Sequence, residues 1–354
     1  MSVSPDRWRA VVRGTARDPA AVVLRRLLWA ARLPYGAGVW WRNRRFDRGR
    51  NVHRAGVPVI SIGNLTVGGT GKTPCVEYVA WLLRGHELRV AILSRGYGSE
   101  AGRNDEAMVL EENLPDVPHY QGRDRVELAR TAVEESESEV LVLDDGFQHR
   151  RLARDLDVVL IDATDPWGGG YLFPRGGLRE PMRNLRRAGF VVLTRCDVAD
   201  PRAIDPIEDD VRTFAPGVPV ARTTHAPLEL ASGERREKTE VLRGRPVGAF
   251  CGIGNPDAFR ATLAGLGADV RDFRTYRDHH PYARADVDEL RERAARLPPE
   301  AWVVTTQKDW VKLRLTDLGG RPLWAVRVGL QFVEGKDEFD RAILAAARTP
   351  ATEP

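Results

Sequence analysis

Residues 57–74 read Val57-Pro58-Val59-Ile60-Ser61-Ile62-Gly63-Asn64-Leu65-Thr66-Val67-Gly68-Gly69-Thr70-Gly71-Lys72-Thr73-Pro74. An apolar run empties into a glycine-rich loop ending in Gly-Lys-Thr, and the stretch Val76 to Leu83 that follows is helix-like. This order predicts a strand, a phosphate cradle and a helix. Glycines let successive backbone N–H groups close around a polyphosphate, the lysine neutralises β and γ oxygens, and the threonine hydroxyl reaches a Mg²⁺ ion. In the pattern G-x-x-x-x-G-K-[ST] the first glycine falls where this chain has Thr66. The cradle Thr66, Val67, Gly68, Gly69, Thr70, Gly71, Lys72 and Thr73 is therefore a variant, and nucleotide binding is the first expectation.

Downstream, strands and helices alternate. Arg89–Ser94, Glu139–Asp145, Asp157–Asp162 and Phe190–Thr194 are strand-like, and Arg123 to Glu135 is helical. Near-continuous Val/Ile/Leu runs mark strands buried on both faces, so the predicted fold is α/β and P-loop NTPase-like, with a doubly wound, mostly parallel sheet. Residues 223–245 are polar and read as a linker or hairpin. Beyond them Pro246–Cys251, a helix from Pro256 to Leu266 and Trp302–Thr306 predict a smaller α/β domain over 246–354. The first domain is placed at 55–222.

A chain of 354 residues is long enough for about two domains. Cys75, Cys196 and Cys251 are far apart and form no C-x-x-C pair, which argues for a reducing compartment and against structural zinc. Residues 1–54 hold 13 arginines against three aspartates, whereas the whole chain carries only +4. Within them, Ala20 to Trp41 is apolar and tryptophan-rich but interrupted by Arg25, Arg26, Arg32 and Pro34. Such a segment does not suit a spanning helix. It suits a basic amphipathic helix packed on the first domain and lying in the headgroup region of an anionic membrane. With no recognition motif following, nucleic acid is not the expected partner.

Phosphoryl transfer needs acids behind the metal, and Asp144-Asp145 at the end of an apolar strand fits that position. Gln148 and His149 follow directly and offer donors to a phosphorylated substrate. Asp105-Glu106 is expected at the start of a strand-like Ala107-Met108-Val109-Leu110, with one acid as base and the other as metal ligand. Arg175 and Arg179, in a loop rich in glycine and aromatics, have forks suited to phosphate. Only five of the 54 basic residues are lysine, which makes Lys72 and Lys308 conspicuous. Asp278-His279-His280 offers a histidine to polarise a carboxylate base across an interdomain cleft.

Taken together, Ile62–Pro74, Ser94-Arg95-Gly96-Tyr97-Gly98, Asp105-Glu106, Asp144-Asp145-Gly146-Phe147-Gln148-His149, Leu178-Arg179-Glu180-Pro181, Asp278-His279-His280 and Lys308-Asp309 resemble the tetraacyldisaccharide 4'-kinases of lipid A biosynthesis. The resemblance runs from about Leu33 to Leu313, and Thr66 belongs to that family's pattern. It implies ATP- and Mg²⁺-dependent phosphorylation of the 4'-hydroxyl of a lipid-linked glucosamine disaccharide 1-phosphate at the cytoplasmic face of the inner membrane. By motif, Lys72 and Thr73 hold triphosphate and Mg²⁺, Asp144 and Asp145 organise the metal with Glu106 near it, and Arg179 faces nucleotide phosphate. Asp105 acts as base with help from His279 or its neighbour His280, while His149 and Gln148 face the lipid disaccharide. Gln307 and Ala107 stand where the family usually has glutamate and proline. The competing expectation is a membrane-recruited P-loop GTPase or ATPase switch, since Leu193-Thr194-Arg195-Cys196-Asp197 approaches [NT]-K-x-D with arginine for lysine; a noncatalytic lipid-binding protein is the third.

Overall fold

The structure, a computed structural model, describes residues 10–12, 14–96 and 105–349. Tyr97 and Gly98 of the Ser-Arg-Gly-Tyr-Gly run, and the turn expected at Ala101–Asn104, lie outside the described residues. The chain forms two compact units, one of Met1–Arg95, Val117–Thr224 and Gln331–Pro354, the other of Gly96–Asp116 and His225–Leu330.

In the first unit, β1 (Val59–Asn64), β2 (Val90–Ser94), β3 (His119–Gln121), β4 (Val140–Asp144), β5 (Leu156–Asp162), β6 (Phe190–Thr194) and the start of β7 (Val220–Ser232) lie in the order β7-β6-β5-β1-β4-β2-β3. Every pairing is parallel. All six residues of β1 are buried, as are all of β4 and β6, because the sheet is covered on both faces. β1 is flanked by β5 and β4, so the carboxyl end of β1 lies where the strand order reverses, the place where open α/β sheets bind ligands. Helices α1 (Pro19–Asp47), α2 (Lys72–Arg84), α4 (Arg125–Ser136), α5 (Pro201–Phe214) and α9 (Lys336–Ala347) complete this unit.

α1 starts at Asp18, whose side chain accepts from the Ala21 amide at 3.0 Å, with Pro19 in the first turn where its missing N–H costs nothing. It continues through Pro34, the proline expected to interrupt it. The inward positions Ala21, Leu28, Tyr35, Val39 and Asn43 recur at helical spacing, while Val23, Leu27, Trp29, Leu33, Trp40 and Trp41 are exposed. No helix among the described residues is long and apolar enough to cross a membrane.

The second unit contains α3 (Asp105–Asn113), β8 (Arg235–Glu237), β9 (Pro246–Cys251), α6 (Pro256–Gly265), β10 (Asp269–Thr275), α7 (Arg284–Ala295), β11 (Trp302–Thr306), α8 (Gln307–Leu313), β12 (Asp317–Leu318) and β13 (Arg321–Glu334) as far as Leu330. Its parallel strands run β10-β9-β11-β13. Of the polar stretch 223–245, residues from His225 onward form part of its framework: β7 and β8 make an antiparallel hairpin from Leu230 to Glu237.

The compact units do not follow the linear boundaries expected from composition. Residues 107–110, expected as a strand, lie within the helix α3, because Ala107, Val109 and Leu110 supply an apolar face at helical spacing. Val109 of α3 packs with Phe250 and Trp310, and the Asn113 and Gln307 amides pair in the interior at 2.5 and 3.3 Å, which draws this segment into the second unit. Conversely, α9 returns to the first: Phe339 is fully buried edge-on to Phe190 at 5.1 Å, and Asp340 accepts from the Tyr78 hydroxyl at 2.8 Å.

Candidate functional site

The cradle grows from the carboxyl end of β1. Gly63 is required there, since a Cβ would come within 2.6 Å of Phe147 Cβ and 2.7 Å of its amide nitrogen. Gly71 caps α2 at φ 81°, a left-handed conformation that L side chains resist, and it turns the loop into the helix. Lys72 and Thr73 then occupy the first turn, where amides without intrahelical partners and the positive end of the helix dipole favour an anion. The loop is braced from outside. Asn64 Nδ2 donates to Thr66 O at 2.8 Å, Thr194 Oγ1 to Thr70 O at 3.0 Å, and Arg195 Nη2 to Gly69 O at 2.9 Å. Arg195, suggested by sequence as a degenerate guanine-reading residue, is thus a loop brace that also pairs with Asp162.

Two cations converge on Asp145. Lys72 Nζ lies 3.5 Å from Oδ1, and Arg179 Nη1 donates to both carboxylate oxygens at 2.9 and 2.8 Å. Burial alone raises the Asp145 pKa, but Lys72 and then Arg179 outweigh it and hold the carboxyl below its usual range. Gln148 joins the same cluster, donating to Asn64 O at 2.9 Å and accepting from Arg179 at 3.3 Å. Arg175 does not join it; its guanidinium stacks on Tyr171 and donates to Val12 O at 2.6 Å. His149 sits apart from these ion pairs. Its Nε2 is buried without a hydrogen-bond partner among the described residues, and burial followed by the charges of Arg125, Arg151 and Arg154 pushes its pKa down to about 4. At neutral pH it offers an uncharged imidazole.

Asp105, Glu106 and His279 come together in the second unit. His279 Nδ1 lies 2.9 Å from Asp105 Oδ2, whereas His280 Nε2 is bonded to Asp286 at 2.9 Å and stacks on Tyr276. The histidine in contact with Asp105 is therefore His279. The linear bounds 55–222 and 246–354 separate Asp105 from His279 and predict a contact across a cleft. The helix α3 places both in one unit, so this contact is internal to it. Lys312 was not singled out as a site residue. Its largely buried ammonium lies 2.7 Å from the same Asp105 oxygen and donates to His280 O at 3.2 Å. The available signal was the scarcity of lysine together with its place three residues after Asp309 on α8, on the same helical face. Glu106 is paired to Lys308 at 3.2 Å.

The donors available to a magnesium ion in the first unit are the Thr73 hydroxyl and the carboxylates of Asp144 and Asp145. Asp144 ends β4, in register with Ile62 of β1. Among the described residues no three His, Cys, Asp or Glu side chains gather into a protein cage. Magnesium suits such a set: it takes hard oxygens, one or two carboxylates, and completes its shell from water and substrate phosphate.

Known proteins resemble this chain over most of its length. A tetraacyldisaccharide 4'-kinase of Anaeromyxobacter dehalogenans (strain 2CP-C) is 45% identical over 341 residues, covering 89% of each chain. One from Syntrophus aciditrophicus (strain SB) is 40% identical over 359 residues, covering 94% of this chain and 95% of its own. The crystal structure of LpxK from Aquifex aeolicus in complex with ATP superposes with a TM-score of 0.75 at 32% identity, over 91% of this chain and 99% of that one. The profile of the tetraacyldisaccharide-1-P 4'-kinases matches residues 24–348, and the chain belongs to that family.

Proposed function

We propose that this protein transfers the γ-phosphoryl group of ATP to the 4'-hydroxyl of tetraacyldisaccharide 1-phosphate. The observation that carries the reading is that a chain of this family holds, in one unit, a phosphate cradle with Lys72 and Arg179 converging on one carboxylate and, in the other, an Asp–His contact suited to a base. The triphosphate competes with Asp145 for Lys72 and Arg179, while the first-turn amides of α2 and the loop 66–71 hold its oxygens. Magnesium, held by Thr73 with Asp144 and Asp145, would neutralise charge on the β and γ oxygens.

The Asp105–His279 pair takes the hydroxyl proton. Asp105 Oδ2 is shared by His279 Nδ1 and Lys312, so with Nδ1–H donating to the carboxylate the outward lone pair is on imidazole Nε2. The acceptor oxygen forms its bond to the γ-phosphorus, the bond to the bridging oxygen of ADP breaks, and the proton passes to Nε2. In this reading the proton acceptor is His279, and Asp105, the base expected from sequence, orients the ring. Glu106, paired with Lys308, is the acid beside this base. Gln148 and the neutral His149 are assigned to the sugar.

The exposed apolar face of α1 supports a place on the inner-membrane surface. Trp29, Trp40 and Trp41 are 48%, 51% and 59% exposed, and each has an arginine guanidinium over its ring, from Arg32, Arg44 and Arg45 respectively. Aromatic rings at headgroup depth with cations beside lipid phosphate give an interfacial, non-spanning attachment. The test is phosphate transfer from γ-labelled ATP to tetraacyldisaccharide 1-phosphate in mixed micelles with Mg²⁺. A labelled lipid bis-phosphate is expected. Protein that binds ATP yet releases label only as inorganic phosphate would overturn the assignment in favour of a switch.

A further inference from the structure

The segment 177–180 lies between the phosphate cradle and α1. On the cradle side, Val67 N donates to Gly177 O at 2.6 Å and Arg179 N donates to Leu65 O at 2.7 Å, while the Arg179 guanidinium holds Asp145. On the helix side, the Tyr35 hydroxyl donates to Arg179 O at 2.9 Å. The next residue, Glu180, is fully buried, and a carboxylate so placed is tolerable only when its oxygens are filled by donors. Four residues fill them: Arg42 at 2.6 Å, Asn43 at 3.2 Å, Asn184 at 2.7 Å and Arg187 at 2.9 Å. Two of those four, Arg42 and Asn43, belong to α1.

One helix therefore carries the exposed tryptophans on its outer face and three side chains gripping the Arg179-Glu180 backbone and carboxylate on its inner face. We infer that Tyr35 and Glu180 are positioning residues through which α1 sets the Arg179 guanidinium against Asp145 and the cradle. The inference rests on the kinase reading above. α1 is then part of the wall of the phosphate site as well as a surface for lipid. The path is short and contiguous: a hydroxyl on a carbonyl, that residue's own amide on Leu65, and its side chain on Asp145. Such a chain of packed polar contacts is a physical route for coupling, and its worth is measured by non-additivity.

The experiment uses the full chain in micelles or vesicles containing anionic phospholipid and tetraacyldisaccharide 1-phosphate, comparing wild type, Tyr35→Phe, Arg179→Ala and the double variant. Transfer by the wild type establishes the kinase reading independently. Tyr35→Phe removes one hydroxyl and is expected to lower kcat/KM for ATP by about 5- to 10-fold, the worth of one hydrogen bond that orients a charged group. Partition onto vesicles and thermal midpoint should not change. In the Arg179→Ala background the same substitution should add less than about twofold, because its effect passes through Arg179. Glu180→Gln, which keeps one acceptor oxygen, should retain more activity than Glu180→Ala at equal folded fraction. If Glu180→Ala does not fold, the Tyr35→Phe cycle decides alone. An equal loss from Tyr35→Phe in both backgrounds, a loss that tracks vesicle partition, or no loss at all overturns the inference.

Discussion

Lowering the pH from about 7.5 to about 4.5 should destabilise the wild-type protein more than His149→Gln, by about 1–2 kcal/mol. The His149 imidazole is partly buried beside Arg125, Arg151 and Arg154, with Asp124 opposing them more weakly, and its folded-state pKa falls from 6.5 to about 4. In the unfolded chain it takes up a proton at its ordinary pKa. Between those two values the unfolded state binds more protons than the native state, so stability falls with falling pH through that window and levels off below the folded pKa. A shift of that size corresponds to a ceiling of about 3 kcal/mol, reduced to about half because water reaches part of the ring and screens the arginines. The assay is denaturant unfolding of both proteins at several pH values, taking their difference so that other titrating groups cancel. Histidine-selective NMR on the native protein gives the midpoint directly. An imidazole that titrates near 6.5 while the protein is folded, or two proteins with parallel pH dependence, refutes the reasoning.

Other consequences can be measured on the same material. Lys72→Met should lower kcat about 10²- to 10³-fold with the thermal midpoint nearly unchanged, as for removal of one cation aimed at developing phosphate charge. Lys312→Met leaves Asp105 with His279 but without its buried ammonium. It should cost about 3–5 kcal/mol in stability, the usual penalty for breaking one side of a buried pair, and reduce kcat; an unchanged unfolding midpoint would count against that role. Replacing Trp29, Trp40 and Trp41 by serine should abolish binding to anionic vesicles while leaving nucleotide affinity intact, and sedimentation with vesicles at two ionic strengths measures both the apolar and the screened electrostatic parts.

The stretch from Val59 to Thr73 determined much by itself. A strand buried on both faces, a glycine-rich turn and a lysine in the first turn of a helix are local properties, fixed by hydrophobic run, backbone freedom and residue spacing. The same is true of Asp144 at the end of β4 and of the basic, tryptophan-rich α1. Local pattern misreads residues 107–110 as a strand, because short apolar runs do not separate strand from helix until their packing partner is known. That partner, α8, is some 200 residues away in the chain, at Gln307–Leu313. Tertiary structure therefore decided that Asp105 shares a unit with His279, that His279 and not His280 touches it, and that Lys312 completes the cluster. It also decided that Glu180, a mere neighbour of Arg179 in sequence, gathers side chains from α1, since burying a carboxylate forces distant donors to converge on it.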